Sequence, residues 1–308
     1  MKKPVIIDCD PGHDDAIALL LAFASPKLDI KAVTVTGGNQ TLEKTLRNTK
    51  RVLSFAGIKT RVAKGADKPM MRELEIAPQV HGESGLDGPY LPEADFEEED
   101  MPAVELMRQI IMESDQKVTL IPTGPLTNVG ILFSLYPEVK ENIEMVSLMG
   151  GAAIGGNWTA AAEFNILVDP EAAHIVFESG VPIVMAGLDV THKALIYDEE
   201  AELFRNQGGK VSVMVAELLD FFFQFHQVGG YEGSPVHDPC AVAYVIDPDM
   251  FESKKYAVEI ETDGEFSTGA TVVDWFGRSG KEPNVEVLFD IDRTKFINML
   301  LDATASYE

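Results

Sequence analysis

Four carboxylates fall within eight residues in the segment Asp8-Cys9-Asp10-Pro11-Gly12-His13-Asp14-Asp15, after the apolar run Val5-Ile6-Ile7 and before the helix-forming Ala16-Ile17-Ala18. One or two acids at such a junction cap a helix, whose free N–H groups and dipole favour negative charge. Four exceed that need. No Lys or Arg lies nearby in the sequence, and like carboxylates held together must either take up protons or hold a cation. All-oxygen ligands favour a hard ion, Ca²⁺ or Mg²⁺, over zinc, and a carboxylate able to bind through both oxygens favours Ca²⁺.

A second segment, Gly233-Ser234-Pro235-Val236-His237-Asp238-Pro239-Cys240, also leads from a loop into an apolar helix. Asp238 reads either as an N-cap or as one more ligand. His237 beside it is expected to stay charged near neutral pH through that carboxylate and to serve as a proton donor. A third segment, Met149-Gly150-Gly151 through Asn157 and Trp158 to Glu163-Phe164-Asn165, together with Asn39 after Gly37-Gly38, holds amides and a carboxylate among glycines. These residues either form turns or bind a neutral polyhydroxyl ligand, with glycines letting the backbone approach it.

The elements that must position these groups follow from periodicity. Short Val- and Ile-rich runs at Val5–Asp8, Ile30–Thr36, Val118–Ile121, Met145–Met149 and Pro182–Ala186 alternate with helical segments at Asp14–Ala24, Thr41–Ala56, Pro102–Ser114, Leu126–Leu135 and Pro170–Ser179. That alternation predicts an open α/β fold, a mostly parallel sheet flanked by helices, with ligands at the carboxyl edge of its strands. A long helix around Val211–Gln227 precedes alternating stretches Tyr256–Glu261, Thr268–Trp275 and Val285–Asp290, expected as added or antiparallel strands at one edge, and a helix near Arg293–Ala303. Two long glycine-bearing connections, Lys64–Pro92 with His81-Gly82 and Gln227–Pro239 with Gly229-Gly230, read as binding loops or lids. No linker divides residues 1–308, so one domain is expected.

Composition narrows the partners. With 25 basic and 50 acidic residues the chain carries −25 at neutral pH, which opposes nucleic acid and anionic bilayers. Two cysteines, Cys9 and Cys240, cannot make a disulfide framework, and no signal-peptide core or membrane span is present in the sequence, so a cytoplasmic protein is expected. Both thiols flank candidate ligands without suiting a hard cation, and read as small buried side chains whose modification would disturb activity indirectly.

Taken in order, Asp8 to Ala16, Gly38-Asn39, His81-Gly82, Pro122-Thr123-Gly124-Pro125-Leu126-Thr127-Asn128, Met149-Gly150-Gly151, Glu163-Phe164-Asn165 and His237-Asp238 resemble the inosine–uridine preferring nucleoside hydrolases along nearly the whole chain. The resemblance implies their Rossmann-like fold, a small nucleoside substrate, and a homodimer or homotetramer. It implies Ca²⁺ held by Asp10, Asp15, the main-chain carbonyl of Thr123, and Asp238. It further implies that Asp14, Asn39, Asn157, Glu163 and Asn165 grip ribose hydroxyls, that Met149 lines the sugar pocket, and that Asp10 takes a proton from the attacking water. His237 would then stand on the base side with His81, Gln227, Tyr231 and Phe164, the last equally readable as a core aromatic, while Trp158 and Trp275 are taken as structural. The expected reaction is hydrolysis of a ribonucleoside to ribose and free base, in salvage. Two other readings stand beside it: a non-catalytic nucleoside- or ribose-binding protein, and a Mg²⁺ phosphohydrolase of the haloacid-dehalogenase kind using Asp8-Cys9-Asp10, for which no later Gly-Asp metal motif is found.

Overall fold

Strands buried on both faces need no polar side, which is why the apolar runs are continuous rather than alternating. The computed structural model describes residues 2–228 and 230–307; Gly229, part of the second long connection, lies outside the described residues. Its strands are β1 (Lys3–Cys9), β2 (Leu28–Val35), β3 (Val62–Lys64), β4 (Val118–Pro122), β5 (Ile143–Met149), β6 (Ile183–Ala186), β7 (Leu195–Ile196), β8 (Ser234–Pro235), β9 (Phe251–Tyr256), β10 (Val258–Ile260), β11 (Thr271–Val273) and β12 (Val285–Ile291). Eight of them form one sheet in the order β3-β2-β1-β4-β5-β6-β12-β9. Every pairing is parallel except β12 with β9.

Alternate residues of one strand feed two cores. Val5, Ile7 and Cys9 of β1 join the cluster that includes residues of helices His13–Ala24, Leu42–Phe55, Lys210–Val228, Pro239–Ile246 and Arg293–Ala305, whereas Ile6 joins the one that includes Met107, Val129, Phe133 and Phe177. Helix His13–Ala24 is buried at every residue from His13 to Ala22, so it is an inner helix, and its apolar residues have no solvent side to alternate with. No helix among the described residues is long and apolar enough to cross a membrane.

The parallel core and its crossover helices match the expectation. The last third differs in detail. The antiparallel edge strand is β9, Phe251–Tyr256, whose exposed Glu252-Ser253-Lys254-Lys255 hides it from a hydrophobic reading; such charges suit an edge. The stretches expected as edge strands at 256–261 and 268–275 instead yield β10 and β11, a separate antiparallel pair. Its Val258 and Ile260 belong to the same apolar cluster as Val176 and Phe177, so this ribbon covers a helix rather than extending the sheet. The three-residue β3 and the helix Asp198–Gln207 were not anticipated.

The strand order reverses direction at β1, with the chain winding outward through β2 and β3 on one side and β4 to β6 on the other. A crevice opens where adjacent loops leave in opposite directions, beyond the carboxyl ends of β1 and β4. Asp8 pairs with Pro122 across these strands, and Thr123 N–H donates to Asp8 O at 2.8 Å, so the acidic segment and the Thr123 turn emerge side by side.

Cys9 and Cys240 are free and fully buried, and burial, then the surrounding carboxylates, raises both thiols above their ordinary range. The thiolate is the reactive form. A disulfide reagent should therefore titrate neither thiol in the native protein and both after unfolding in guanidinium; rapid native labelling would contradict this packing.

Candidate active site

Asp15 is the best-satisfied carboxylate of the cluster. One oxygen accepts from Gly12 N–H at 3.0 Å and Asn39 Nδ2 at 3.2 Å, the other from Thr123 Oγ1 at 2.8 Å and Asp10 N–H at 3.4 Å. Single oxygens of Asp14, Asp15 and Asp238 lie within 4.8 Å of one another, all buried. The backbone N–H groups of His237 and Asp238 face the Asp14 carboxylate, which joins the first acidic segment to the distant Asp238 loop. Asp10 accepts from Asn39 N–H at 2.6 Å through Oδ2, while its Oδ1 is buried without a hydrogen-bond partner among the described residues. Beneath them Asp8 takes Thr34 Oγ1 at 2.6 Å and Asn128 Nδ2 at 2.8 Å.

The fit around Asp10 explains two glycines. A Cβ at Gly38 would lie 2.1 Å from Asp10 Oδ2, and one at Gly124 would lie 2.3 Å from Oδ1. No side chain is tolerable at either place without displacing the carboxylate.

Burial is the first cause of raised proton affinity here, and mutual repulsion the second. Asp14 is pushed up to about 7 by burial and then by Asp15. Asp10 and Asp238 stand well above the usual carboxylate range for the same two reasons. Asp8, by burial, reaches about 7. No Lys or Arg lines the cavity, among the described residues, and no ion pair there involves these acids. An all-oxygen donor set with an orphaned carboxylate oxygen and no basic partner fits a hard divalent cation. The tight trio differs from the expected ligand set, since it contains Asp14 rather than Asp10. The Thr123 carbonyl also accepts from Asn165 Nδ2 at 2.8 Å.

Asp14 and Asp238 of the cluster line a cavity of about 390 Å³, with Asp10 and Asp15 buried behind them. On one side stand Asn39, Met149, Asn157, Glu163 and Asn165. Glu163 caps the short helix Phe164–Val168, accepting from Asn165 and Ile166 N–H groups, and also holds Gly151 N–H at 2.9 Å; burial raises it to about 7. Turn formation and cavity lining are thus one arrangement. Phe164 both lines the cavity and packs on Trp158 at 4.7 Å. Trp158, expected to be structural, also lines the cavity and donates from Nε1 to Glu75 at 2.6 Å, whereas Trp275 packs away from it against Tyr256.

Another part of the lining is imidazole and aromatic: four of the six histidines, His81, His192, His226 and His237, border the cavity with Phe222, Phe225 and Tyr231. His13 stacks behind His81, with the two Nδ1 atoms 3.1 Å apart. Burial lowers His13 and His226 to about 4 and holds His81 and His237 well below the ordinary imidazole value. This corrects the expectation that Asp238 keeps His237 charged: loss of solvation, reinforced by His192 and His226, leaves it neutral. Gln227 is a second correction. It sits exposed on the last turn of helix Lys210–Val228 and does not line the cavity; His226, one residue earlier, faces inward instead. His192, His226 and Phe222 were missed, although the run Phe221-Phe222-Phe223-Gln224-Phe225-His226 places Phe222 and His226 four residues apart on one helix face.

A family model described as inosine-uridine preferring nucleoside hydrolase matches residues 5–298. The chain is 53% identical over 310 residues to the pyrimidine-specific ribonucleoside hydrolase RihA of Citrobacter koseri, covering 100% of this chain and 99% of that protein. Among solved structures, the purine-preferring ribonucleoside hydrolase of Gardnerella vaginalis superposes with a TM-score of 0.93 at 29% identity, and a plant nucleoside hydrolase with 0.92 at 30%, each pairing covering 99% of both chains.

Two outcomes test this geometry. Gly38→Ala should cut activity by about tenfold or more by displacing Asp10, with the fold retained by circular dichroism. For the ion-free protein, carboxylates of raised pKa favour the folded state fully below pH ~4, and that contribution is lost as pH rises through ~7. The melting temperature without divalent cation should therefore fall across this window, and added Ca²⁺ should restore it most at the upper end with proton release in calorimetry. A flat profile would remove the buried-carboxylate account. From acidic floor to glycine-cradled Asp10, the chain belongs to the inosine-uridine preferring nucleoside hydrolase family.

Proposed function

We propose that this N-ribosyl hydrolase acts on pyrimidine ribonucleosides with Ca²⁺ as its resident cation, releasing ribose and free base for nucleoside salvage. The observation that carries the reading is the cavity itself, a carboxylate floor joined to a neutral imidazole and aromatic wall. The 53% identity to a relative named pyrimidine-specific supports the choice of base.

Breaking an N-ribosidic bond builds positive charge on the sugar and negative charge on the departing base. Asp14, Asn39, Asn157, Glu163 and Asn165 grip the ribose hydroxyls and orient the ring beside Met149, so the reacting carbon sits over the acids. Asp10, Asp15, Asp238 and the Thr123 carbonyl would hold Ca²⁺, which supplies charge to offset the carboxylates and lowers the pKa of water. Asp10 receives the proton as the water attacks; its Oδ1 has no protein donor among the described residues and can accept it. The base lies against His81, Tyr231, Phe164 and His237, which meet its edge and face with neutral donors and rings. No Lys or Arg lines this cavity, among the described residues, which disfavours phosphate as the attacking group.

Purified enzyme in phosphate-free buffer should release uracil and cytosine from their nucleosides faster than hypoxanthine from inosine, lose activity to a chelator, and recover it with Ca²⁺. Asp10→Asn should cost at least ~3 kcal/mol of transition-state stabilisation. A strict need for phosphate, or near-normal turnover by this variant, would overturn the reading.

A further inference from the structure

His237 approaches the cavity in a geometry that its own loop does not set. Pairing of β7 with β8 aligns Leu195 with Pro235 and Ile196 with Ser234, and Val236 N–H donates to Ala194 O at 3.1 Å. These bonds clamp the loop to the end of helix Leu188–Thr191, just beyond β6. Thr191 is completely buried there, with its N–H on Gly187 O at 3.0 Å and its carbonyl receiving Ala194 N–H at 3.1 Å. Its hydroxyl has one hydrogen-bond partner among the described residues, His237 Nδ1, at 2.7 Å.

We propose that Thr191 is a positioning residue that fixes the tautomer of His237, so that Nε2–H faces the cavity and donates a hydrogen bond to the departing base. The inference rests on the reading of the cavity as a nucleoside site. The accounting is short. A hydroxyl has one proton, and a buried donor left without an acceptor costs more than an acceptor with a spare lone pair. If His237 donated from Nδ1, the Thr191 proton would be stranded and Nε2 would present a bare lone pair. With Thr191 O–H donating to Nδ1, that proton is satisfied and the imidazole hydrogen is placed on Nε2, which has no hydrogen-bond partner in the protein, among the described residues.

The consequence concerns charge, not proton transfer. As the sugar–base bond breaks, its electron pair goes to the base, and Nε2–H donates to the oxygen or nitrogen where that charge collects. Nε2 keeps its proton throughout this hydrogen bond, and the released base is protonated by solvent. Backbone clamping and the hydroxyl together hold the donor in place before substrate arrives, at no reorganisation cost during the reaction.

The test uses the calcium-loaded enzyme and two substrates, uridine, whose base is a poor leaving group, and 4-nitrophenyl β-ribofuranoside, whose anion departs without help. Thr191→Val keeps the shape and removes the proton. It should lower kcat on uridine by about tenfold to 100-fold with little change in KM, and lower nitrophenyl riboside turnover far less; Thr191→Ser should restore uridine turnover. Histidine-selective ¹H–¹⁵N spectra, with His237 assigned from its missing signals in His237→Gln, should show the Nε2–H tautomer in the wild type and a mixture in Thr191→Val. An Nδ1–H tautomer in the wild type, equal losses on both substrates, or no rescue by serine would overturn the assignment. Wild-type enzyme that releases no base from uridine would sink the nucleoside reading instead, and the spectra would still decide the role of Thr191.

Discussion

Mutual repulsion among buried carboxylates is the constraint on which this molecule is built. Asp10, Asp14, Asp15 and Asp238 are all withdrawn from water, and burial raises the proton affinity of Asp10, Asp14 and Asp238. The protein answers with backbone and amide donors on Asp15 and Asp10 rather than with arginine. Such donors orient a carboxylate without cancelling its charge. The acids therefore keep an appetite for a cation that a salt-bridged cluster would have lost. Neither Lys nor Arg lines the cavity, among the described residues, so no fixed cationic side chain offsets the acids there.

The scaffold converts this local tension into a site. Reversal of strand order at β1 brings the acidic turn and Thr123 together, and glycines at 38 and 124 let two loops close to within a carbon atom's width of the Asp10 carboxylate. Those features frame the acidic end of the cavity. The histidine-rich end is made differently, by side chains from the short helix Pro78–His81, from the end of helix Lys210–Val228, and from the His237 loop. Near-identical folds carry the names of a purine-preferring and a plant enzyme.

Neutral histidines give the wall its character. Stacking of His13, His81 and Phe222, and the edge contacts among His192, His226, Tyr231 and His237, exclude water and lower proton affinity together. A neutral imidazole can donate on one edge and accept on the other, and its neighbours decide which. That property is invisible in a residue name. It explains why His237 read next to Asp238 suggests a cation, while His237 packed between His192 and Thr191 does not carry one.

Local order was legible wherever chemistry and chain continuity coincide. The first strand, the acidic turn and its helix are contiguous, so Asp8 to Ala24 declare both element and function; the parallel core followed from runs of Val and Ile that only a doubly covered sheet can bury. The polar edge strand β9 and the detached β10–β11 ribbon escaped because an edge needs no apolar signal and a ribbon is defined by what it covers. Gln227 and His226 show the same limit at one residue's resolution: both lie in the predicted helix, and only its rotation against the cavity selects the second. Sequence alone thus determined the family and the crowding of acids after the first strand, since side-chain type and spacing are covalent facts. Tertiary structure alone decided which carboxylates meet, which histidines lose their charge and which hydroxyl faces His237, because those depend on distance and solvent exclusion between segments far apart in the chain.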